Sequence, residues 1–234
     1  MAESIRETRV QYPSDKVTMR AYVAAPQTKE PRPAIIVIQE WWGLSEHIMD
    51  VTRRFAGEGY VAIAPDLYSR LGHVLTTDAS EAGKLMNTLQ QDDGLKDLNA
   101  TVTYLKSVPE VDSTRIGVTG FCMGGSYALM LSCVNRDIKA AVPFYGQVPN
   151  PDAPLQQLSA PVLYIYGEDD GWITKADVQR LAAGFKKYNK SGEIKTYPGA
   201  PHAFHADYRP SYRKEAADDG WRRLLDWLRR HGAV

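Results

Sequence analysis

The chain has 234 residues, of which 28 are basic and 28 acidic, so its formal net charge is zero. This balance argues against nucleic acid or an anionic membrane as a partner and favours a small molecule. The length is enough for one substantial core, and we expect a single domain over residues 1–234.

The N-terminal segment and the hydropathy pattern predict where the protein resides. Residues 1–15 are polar and charged without an apolar centre, unlike a secretory signal, and no apolar run reaches the roughly 20 residues that span a bilayer. We therefore expect a cytoplasmic protein, and a monomer rather than an oligomer. Cys122 and Cys133 lie too far apart along a turn and a helix for a disulfide, so both thiols are expected to be free.

The apolar pattern alternates between two periods along the chain. Two initial segments, 6–11 and 16–24, predict antiparallel strands at one edge of a sheet. Further strands are predicted at 34–38, 60–64, 116–119, 138–144, 162–166 and 194–197, and helices at 46–58, 78–89, 95–107, 123–133, 175–188 and 212–230. Because these strands are rich in β-branched residues and apolar on both faces, they predict a mostly parallel, doubly wound α/β sheet with helices on both faces.

A cysteine occupies the tip of a strand-turn-helix in the segment GFCMGG, residues 120–125. Small residues around Cys122 permit the sharp turn of a nucleophile elbow, and the helix N-terminus behind the side chain favours a thiolate. The amide of Met123 would then point at a developing oxyanion. Taken alone, the same pattern also fits a buried cysteine in a tight glycine turn.

An acid and a histidine follow two later strands. Asp170 stands just beyond the run VLYIYG, where the third member of a catalytic triad belongs, and we prefer it to Asp169. His202 lies in the loop PGAPHAF after the last predicted strand. Nucleophile, acid and histidine thus appear in the order that the elbow template requires, which favours a catalytic role for all three. His205 is expected to be an ordinary loop histidine, and no metal site is expected.

The segment QEWWG, residues 39–43, follows the strand at 34–38 and would supply the second oxyanion donor, the amide of Trp41. Glu40 beside it is unusual, because a carboxylate near a thiolate raises the pKa of the thiol. It becomes useful if the carboxylate accepts the thiol proton at a chosen moment. The alternative is a surface glutamate at the approach to a helix.

These motifs resemble the dienelactone hydrolase (carboxymethylenebutenolidase) family of the α/β-hydrolase superfamily. The resemblance extends over nearly the whole chain through QEWWGL, APDLY, GFCMGG, GEDD and PHAF. It implies an α/β-hydrolase fold and a resting thiol that is hydrogen-bonded to Glu40, which takes the proton once substrate binds. It further implies attack by Cys122 on a lactone, oxyanion binding by Trp41 and Met123, and activation of water by His202 and Asp170. No metal or organic cofactor is implied.

Two arginines hold the substrate carboxylate in members of that family that cleave dienelactones. Arg209 is a plausible candidate for one and Arg70 for the other, although either could be an ordinary solvated charge. Aromatic side chains near the site could form an apolar wall for an unsaturated or aromatic ester, or could simply pack in the core. These are Trp41, Trp42, Phe121, Tyr145 and Trp172.

Two other functions remain compatible with the sequence. The same residues could serve a general esterase or a thioesterase, because fold and triad determine the chemistry better than the substrate. Cys122 could instead be oxidised in a thiol-based redox or ligand sensor, although Cys133, the other cysteine, is expected to lie in the core. The leading hypothesis is a hydrolase of dienelactone-like lactones or small carboxylic esters.

Overall fold

The structure is a computed structural model that describes residues 4–28 and 30–233. The predicted domain limits at residues 1 and 234, and the first three residues of the N-terminal segment, lie outside the described residues. Within the described ranges, none of the helices is long and apolar enough to cross a membrane.

The described residues form eight strands and six α-helices. The strands are β1 (Ile5–Ser14), β2 (Val17–Pro26), β3 (Arg32–Ile38), β4 (Val61–Pro65), β5 (Val111–Phe121), β6 (Ile138–Phe144), β7 (Val162–Asp169) and β8 (Gly192–Pro201). The helices are α1 (Glu46–Gly57), α2 (Ala79–Thr88), α3 (Gln91–Ser107), α4 (Met123–Val134), α5 (Lys175–Lys187) and α6 (Lys214–Arg230). Two short 3₁₀ helices, Leu67–Leu71 and Ala153–Gln157, were not predicted because five residues are too few to reveal a helical period.

All eight strands form one sheet in the order β1-β2-β4-β3-β5-β6-β7-β8. The pairs β1–β2 and β2–β4 are antiparallel, and every pair from β3 and β4 onwards to β7 and β8 is parallel. The predicted edge meander and the mostly parallel α/β sheet are therefore confirmed.

Helices cover both faces of this sheet and create two apolar layers. On one face α3, α4 and α5 bury residues such as Leu98, Leu129 and Leu181. On the other face α1 and α6 bury Phe55 and Leu228 among others. Strands covered on both sides must be apolar throughout, which explains the continuous hydrophobic runs in the sequence.

Helix α3 and strand β5 begin earlier than predicted. The first turn of α3 contains Asp92 and Asp93, which give no apolar signal although acidic residues are favourable at a helix N-terminus. The start of β5 at Val111 carries half-exposed residues such as Asp112 before its apolar run. In both cases the hydrophobic period reveals the buried portion of the element and misses its polar beginning.

The parallel sheet brings four of the predicted site residues to one edge. Glu40 comes two residues after the end of β3, while Cys122, Asp170 and His202 each follow directly the last residue of β5, β7 and β8. Since these strands run parallel, their carboxyl ends share the edge at which ligands of open α/β sheets bind.

Arg70 is committed elsewhere, in a buried ion pair on the 3₁₀ helix Leu67–Leu71. Its Nε and Nη2 donate to the carboxylate of Asp97 on α3 at 2.7 and 2.8 Å, and the hydroxyl of Ser14 donates to the same carboxylate at 2.5 Å. The side chain of Asp97 is completely buried. This bidentate pair joins the β1 hairpin, the 3₁₀ helix and α3, so the suggested role of Arg70 as a substrate ligand is not supported by its position.

We expect Arg70→Met to lower the free energy of unfolding by about 3–5 kcal/mol, because it leaves the buried carboxylate of Asp97 without its cation. Urea unfolding at pH 7 measures this effect. Arg222→Ala provides the control, since Arg222 forms an exposed pair with Asp219 and should change stability by less than about 1 kcal/mol. Equal effects of the two substitutions would contradict a structural role for the Arg70–Asp97 pair.

Candidate active site

The turn between β5 and α4 holds Cys122 in a backbone conformation that L-amino acids rarely adopt, with φ of 58° and ψ of −120°. Two glycines permit this turn. A β-carbon at Gly120 would lie 2.2 Å from the carbonyl oxygen of Gly124, and one at Gly124 would lie 2.3 Å from the carbonyl oxygen of Ile38. The amide of Cys122 also donates to the carbonyl of Phe144 at 3.1 Å, which links the turn to β6.

His202 and Asp170 are joined by a hydrogen bond of 2.8 Å between Nδ1 and Oδ2. The other oxygen of Asp170 accepts from the amides of Trp172 and Ile173 at 2.7 and 2.9 Å, and the side chain of Asp170 is fully buried. Asp169 is exposed at the end of β7. The backbone amides therefore fix one oxygen of Asp170, and the other oxygen bonds the imidazole of His202. Asp170, which the sequence favoured over Asp169, is thus the aspartate in contact with His202.

The sulfur of Cys122 lies beside the amides predicted to bind an oxyanion. Burial raises the pKa of the Cys122 thiol and the charge of Glu40 raises it further, whereas the backbone amides of Met123 and Trp41 lower it. Burial and Glu40 thus outweigh the lowering of the thiol pKa that we expected from the turn and the helix N-terminus. Among the described residues, no hydrogen bond joins this sulfur to His202 or Glu40, so the implied thiol–Glu40 bond is not formed.

Glu40 is an interior residue with only 1% of its surface exposed, which rules out the alternative of a surface glutamate. Its Oε2 accepts a hydrogen bond from the hydroxyl of Tyr208 at 3.1 Å. Its Oε1 is buried and has no hydrogen-bond partner among the described residues. The sequence did not single out Tyr208, because a tyrosine in a polar loop six residues after His202 carries no recognisable signal.

Tyr68, within the motif APDLY, is a second residue that the sequence argument did not assign. Its hydroxyl donates to the carbonyl of Trp41 at 2.8 Å and lies 3.6 Å from the sulfur of Met123. Tyr68 therefore bridges the two segments whose amides face Cys122 and holds them at a constant separation.

Arg209 lies over the ring of Trp42, with 5.1 Å between its guanidinium carbon and the ring centroid. No acidic side chain in the described ranges forms an ion pair with Arg209. Both residues line a cavity of about 820 Å³, together with Tyr208, Leu75 and Thr76. An unpaired cation at a cavity wall is suited to an anionic group of a ligand.

The segment that carries Tyr208 and Arg209 is fastened to α1. Asp207 accepts from Nη2 of Arg54 at 2.7 Å, and its other oxygen lies 3.3 Å from Nδ1 of His47. His205 is also buried, stacked on Phe121 with 4.9 Å between ring centroids. Desolvation lowers the pKa of His205 to about 3, so its ring stays neutral and serves packing.

The predicted aromatic residues divide between core and cavity. Phe121 is fully buried in the layer under α1 and α6, so its role is packing. Trp42 is half-buried at the large cavity, and Trp41 packs edge-on against it. Trp172 contacts the edge of the His202 ring at 5.2 Å and lines a second cavity of about 240 Å³ with Met123. Tyr145 is fully buried and also packs against His202, with 5.0 Å between the ring centroids.

Metal binding has no obvious location in the described part of the chain, where no three His, Cys, Asp or Glu side chains converge as ligands would. Both cysteines are free, as predicted, and both are buried.

Comparison with known proteins gives a consistent assignment. The model of the dienelactone hydrolase family matches residues 19–232. A protein of Methylorubrum extorquens named "Putative carboxymethylenebutenolidase" is 40% identical over 236 residues, which cover 96% of this chain and 81% of that protein. A protein of Escherichia coli K12 with the same name is 38% identical and covers 94% of this chain and 85% of its own.

Solved structures agree with these relatives. The crystal structure of a "Putative Dienelactone Hydrolase" from Klebsiella pneumoniae has a TM-score of 0.90 and 36% identity, covering 97% of this chain and 99% of that one. Est1E from Butyrivibrio proteoclasticus, at 18% identity and a TM-score of 0.68, covers 94% of this chain and 99% of its own and shares the fold alone. The expected α/β-hydrolase fold is thus confirmed, and the chain belongs to the dienelactone hydrolase family.

Proposed function

We propose that the protein hydrolyses a lactone or a small carboxylic ester through a thioester acyl-enzyme formed on Cys122. The observation that carries this proposal is the Asp170–His202 hydrogen bond of 2.8 Å, formed at the same sheet edge as the strained turn that holds Cys122. The amides of Trp41 and Met123 beside the sulfur supply the two oxyanion donors that acyl transfer needs.

Acylation begins with the loss of the thiol proton, because the thiolate is the nucleophile. Glu40 is the acceptor in this proposal: it is buried, its charge acts on the thiol, and its Oε1 is unengaged. The thiolate then attacks the ester carbonyl, whose oxygen becomes an oxyanion held by the amides of Trp41 and Met123. Collapse of this intermediate breaks the carbon–oxygen bond, the leaving alkoxide takes the proton held by Glu40, and a thioester and an alcohol result.

Deacylation uses the histidine. Asp170 holds Nδ1 of His202, which leaves Nε2 to take a proton from water while the water attacks the thioester. The carbon–sulfur bond then breaks, the carboxylic acid is released, and the thiolate takes the proton held by His202. The rings of Trp172 and Tyr145 both pack against the ring of His202 and restrict its orientation.

The substrate class follows from Arg209, which has no acidic partner among the described residues and faces the large cavity. A carboxylate on the substrate would bind this guanidinium next to Tyr208, the only described hydrogen-bond partner of the Glu40 side chain. An anionic lactone thereby disturbs the Tyr208–Glu40 contact as it binds, which couples substrate binding to activation of the thiol. Neutral esters lack this coupling.

The competing functions differ in what they require. A thioesterase would use the same residues and would differ from the proposed lactone or ester hydrolase only in its substrate. A redox sensor commonly needs a second reactive thiol, whereas Cys133 lies in the core and burial raises the pKa of its thiol to about 12. No feature of the site favours oxidation of Cys122 over acylation.

Cys122→Ala should lower ester hydrolysis by about 10⁴-fold or more while the protein stays folded, because it removes only the sulfur of the nucleophile. The initial rate with p-nitrophenyl acetate, together with thermal unfolding, measures both effects. Cys133→Ala is the matched control and should retain most of the activity with a modest loss of stability. Substantial hydrolysis by folded Cys122→Ala would rule out the covalent mechanism.

Asp170→Asn should reduce kcat by roughly 10²–10⁴-fold with little change in KM, because the amide disturbs the tautomer and charge stabilisation of His202. Steady-state kinetics on the same ester provide the measurement. Asp169→Asn serves as the control and should stay within about twofold of the wild type. A larger loss of kcat in Asp169→Asn than in Asp170→Asn would mean that Asp169 orients His202.

Arg209→Ala should weaken binding of a carboxylate-bearing lactone by about 10–150-fold, the loss expected for one charge-assisted hydrogen bond, and should leave its methyl ester almost unaffected. Wild type, Arg209→Ala and Glu40→Gln are compared on both substrates by steady-state kinetics, with Arg213→Ala as a neighbouring control. The acid should be turned over faster than the methyl ester by the wild type and lose that advantage in Glu40→Gln. Equal turnover of both substrates by all proteins would make this an ordinary cysteine esterase.

A further inference from the structure

Tyr145 combines two features that cost free energy. It follows β6 directly and has a φ of 40°, in the region that favours glycine, so its backbone is strained. Its side chain is completely buried, yet the hydroxyl has no hydrogen-bond partner among the described residues. A buried donor without an acceptor is unfavourable and rare in native proteins. Strain and an unpaired donor at one residue next to a reactive site indicate a role beyond packing.

The unpaired hydroxyl of Tyr145 has a natural counterpart in Oε1 of Glu40. That oxygen is also buried and also lacks a partner among the described residues. Both residues flank the turn at Cys122: its amide donates to the carbonyl of Phe144, which precedes Tyr145, and a β-carbon at Gly124 would lie 2.5 Å from the carbonyl oxygen of Gln39, which precedes Glu40. In agreement, burial and, after it, the charge of Glu40 raise the pKa of Tyr145. A phenol with a raised pKa keeps its proton, so it can act toward a carboxylate only as a donor.

Several other titratable groups face this pair. Cys122, Tyr208 and Arg209 interact electrostatically with the hydroxyl of Tyr145, and the His202 ring contacts the Tyr145 ring at 5.0 Å. Asp170, which is bonded to His202, also raises the pKa of the Cys122 thiol, as the smallest of the named causes. Tyr208 already bonds Oε2 of Glu40, but it is 56% exposed at the cavity and open to displacement by a ligand. Tyr145 is the donor that a ligand cannot reach.

We propose that Tyr145 is a positioning residue whose hydroxyl donates to Oε1 of Glu40 through one bridging water molecule, and so keeps the Cys122 thiol protonated until substrate binds. This inference rests on the proposed function of Glu40 as acceptor of the thiol proton. It adds an interior donor that controls how readily Glu40 takes that proton.

The direction of the effect follows from one proton shared by two groups. The pair exists either as thiol and carboxylate or as thiolate and carboxylic acid. A hydrogen bond donated to the carboxylate favours the first form and hides the nucleophile. Loss of the Tyr145 hydroxyl therefore moves the proton toward Glu40 and increases the thiolate fraction, a gain of reactivity that requires the carboxylate of Glu40, whereas exposure of the buried thiol by damage to the fold would not require it.

Tyr145→Phe tests this proposal because it keeps the ring and removes only the hydroxyl. Alkylation of Cys122 by iodoacetamide at pH 7, followed by mass spectrometry of its peptide, should become about 2- to 12-fold faster, the size of one neutral hydrogen bond. The absorbance of the thiolate at 240 nm should persist to lower pH than in the wild type. In a Glu40→Gln background, Tyr145→Phe should have no effect on either measurement.

Tyr60→Phe is the matched control, since Tyr60 is also buried with an unpaired hydroxyl among the described residues but packs against Phe55, away from the site. It should leave alkylation unchanged. Equal or slower alkylation of Tyr145→Phe would overturn the proposal, and so would an acceleration that persists with Glu40→Gln, which would assign the effect to His202. Alkylation does not depend on turnover, so failure here is distinguishable from hydrolysis by Cys122→Ala, which would refute the mechanism itself.

Discussion

The whole site depends on how closely three backbone segments approach one another at the end of β5. Gly120 and Gly124 face carbonyl oxygens at distances that admit no side chain, and only this approach lets the chain reverse from strand to helix at Cys122. The reversal places the sulfur above the sheet edge and turns the amide of Met123 toward it. The loop after β3, braced by Tyr68, supplies the amide of Trp41 from the opposite side.

The carboxylate of Glu40 near this thiol disfavours the reactive thiolate when no substrate is bound. Desolvation and the charge of Glu40 both oppose the thiolate, and the two amides offset them only in part. Reactivity must then come from a change in the surroundings of Glu40, whose described hydrogen bond runs to an exposed tyrosine at the cavity. In the proposed mechanism, a substrate that engages this region supplies that change itself, which protects the buried cysteine from unproductive chemistry between turnovers.

The sequence predicted the fold and the position of each group at the sheet edge because those depend on local patterns. Buried strands are continuous apolar runs, and a reactive turn needs small residues around its nucleophile, as in GFCMGG. It could not predict which polar residues from distant segments meet. The contacts of Tyr208 with Glu40 and of Arg70 with Asp97 are set by packing. The sequence therefore offered Arg70 as a candidate substrate ligand without revealing its pairing with Asp97, and it did not indicate Tyr208. For Phe121 and Tyr145 the sequence left a cavity wall and the core both open, because aromatic side chains carry no sequence signal that separates lining from core, and the structure buries both.

His202, Tyr208 and Arg209 belong to one loop, and that loop is held at Asp207 by Arg54 of α1. Any insertion or deletion between them would displace the histidine together with the groups that face the ligand. New substrate preferences in proteins of this design should therefore arise by exchange of single side chains here, or of Met86 and Met130, which line the second cavity. Neither of these two methionines belongs to the groups placed around the thiol, so their exchange should leave Cys122, Glu40 and the two oxyanion amides in place.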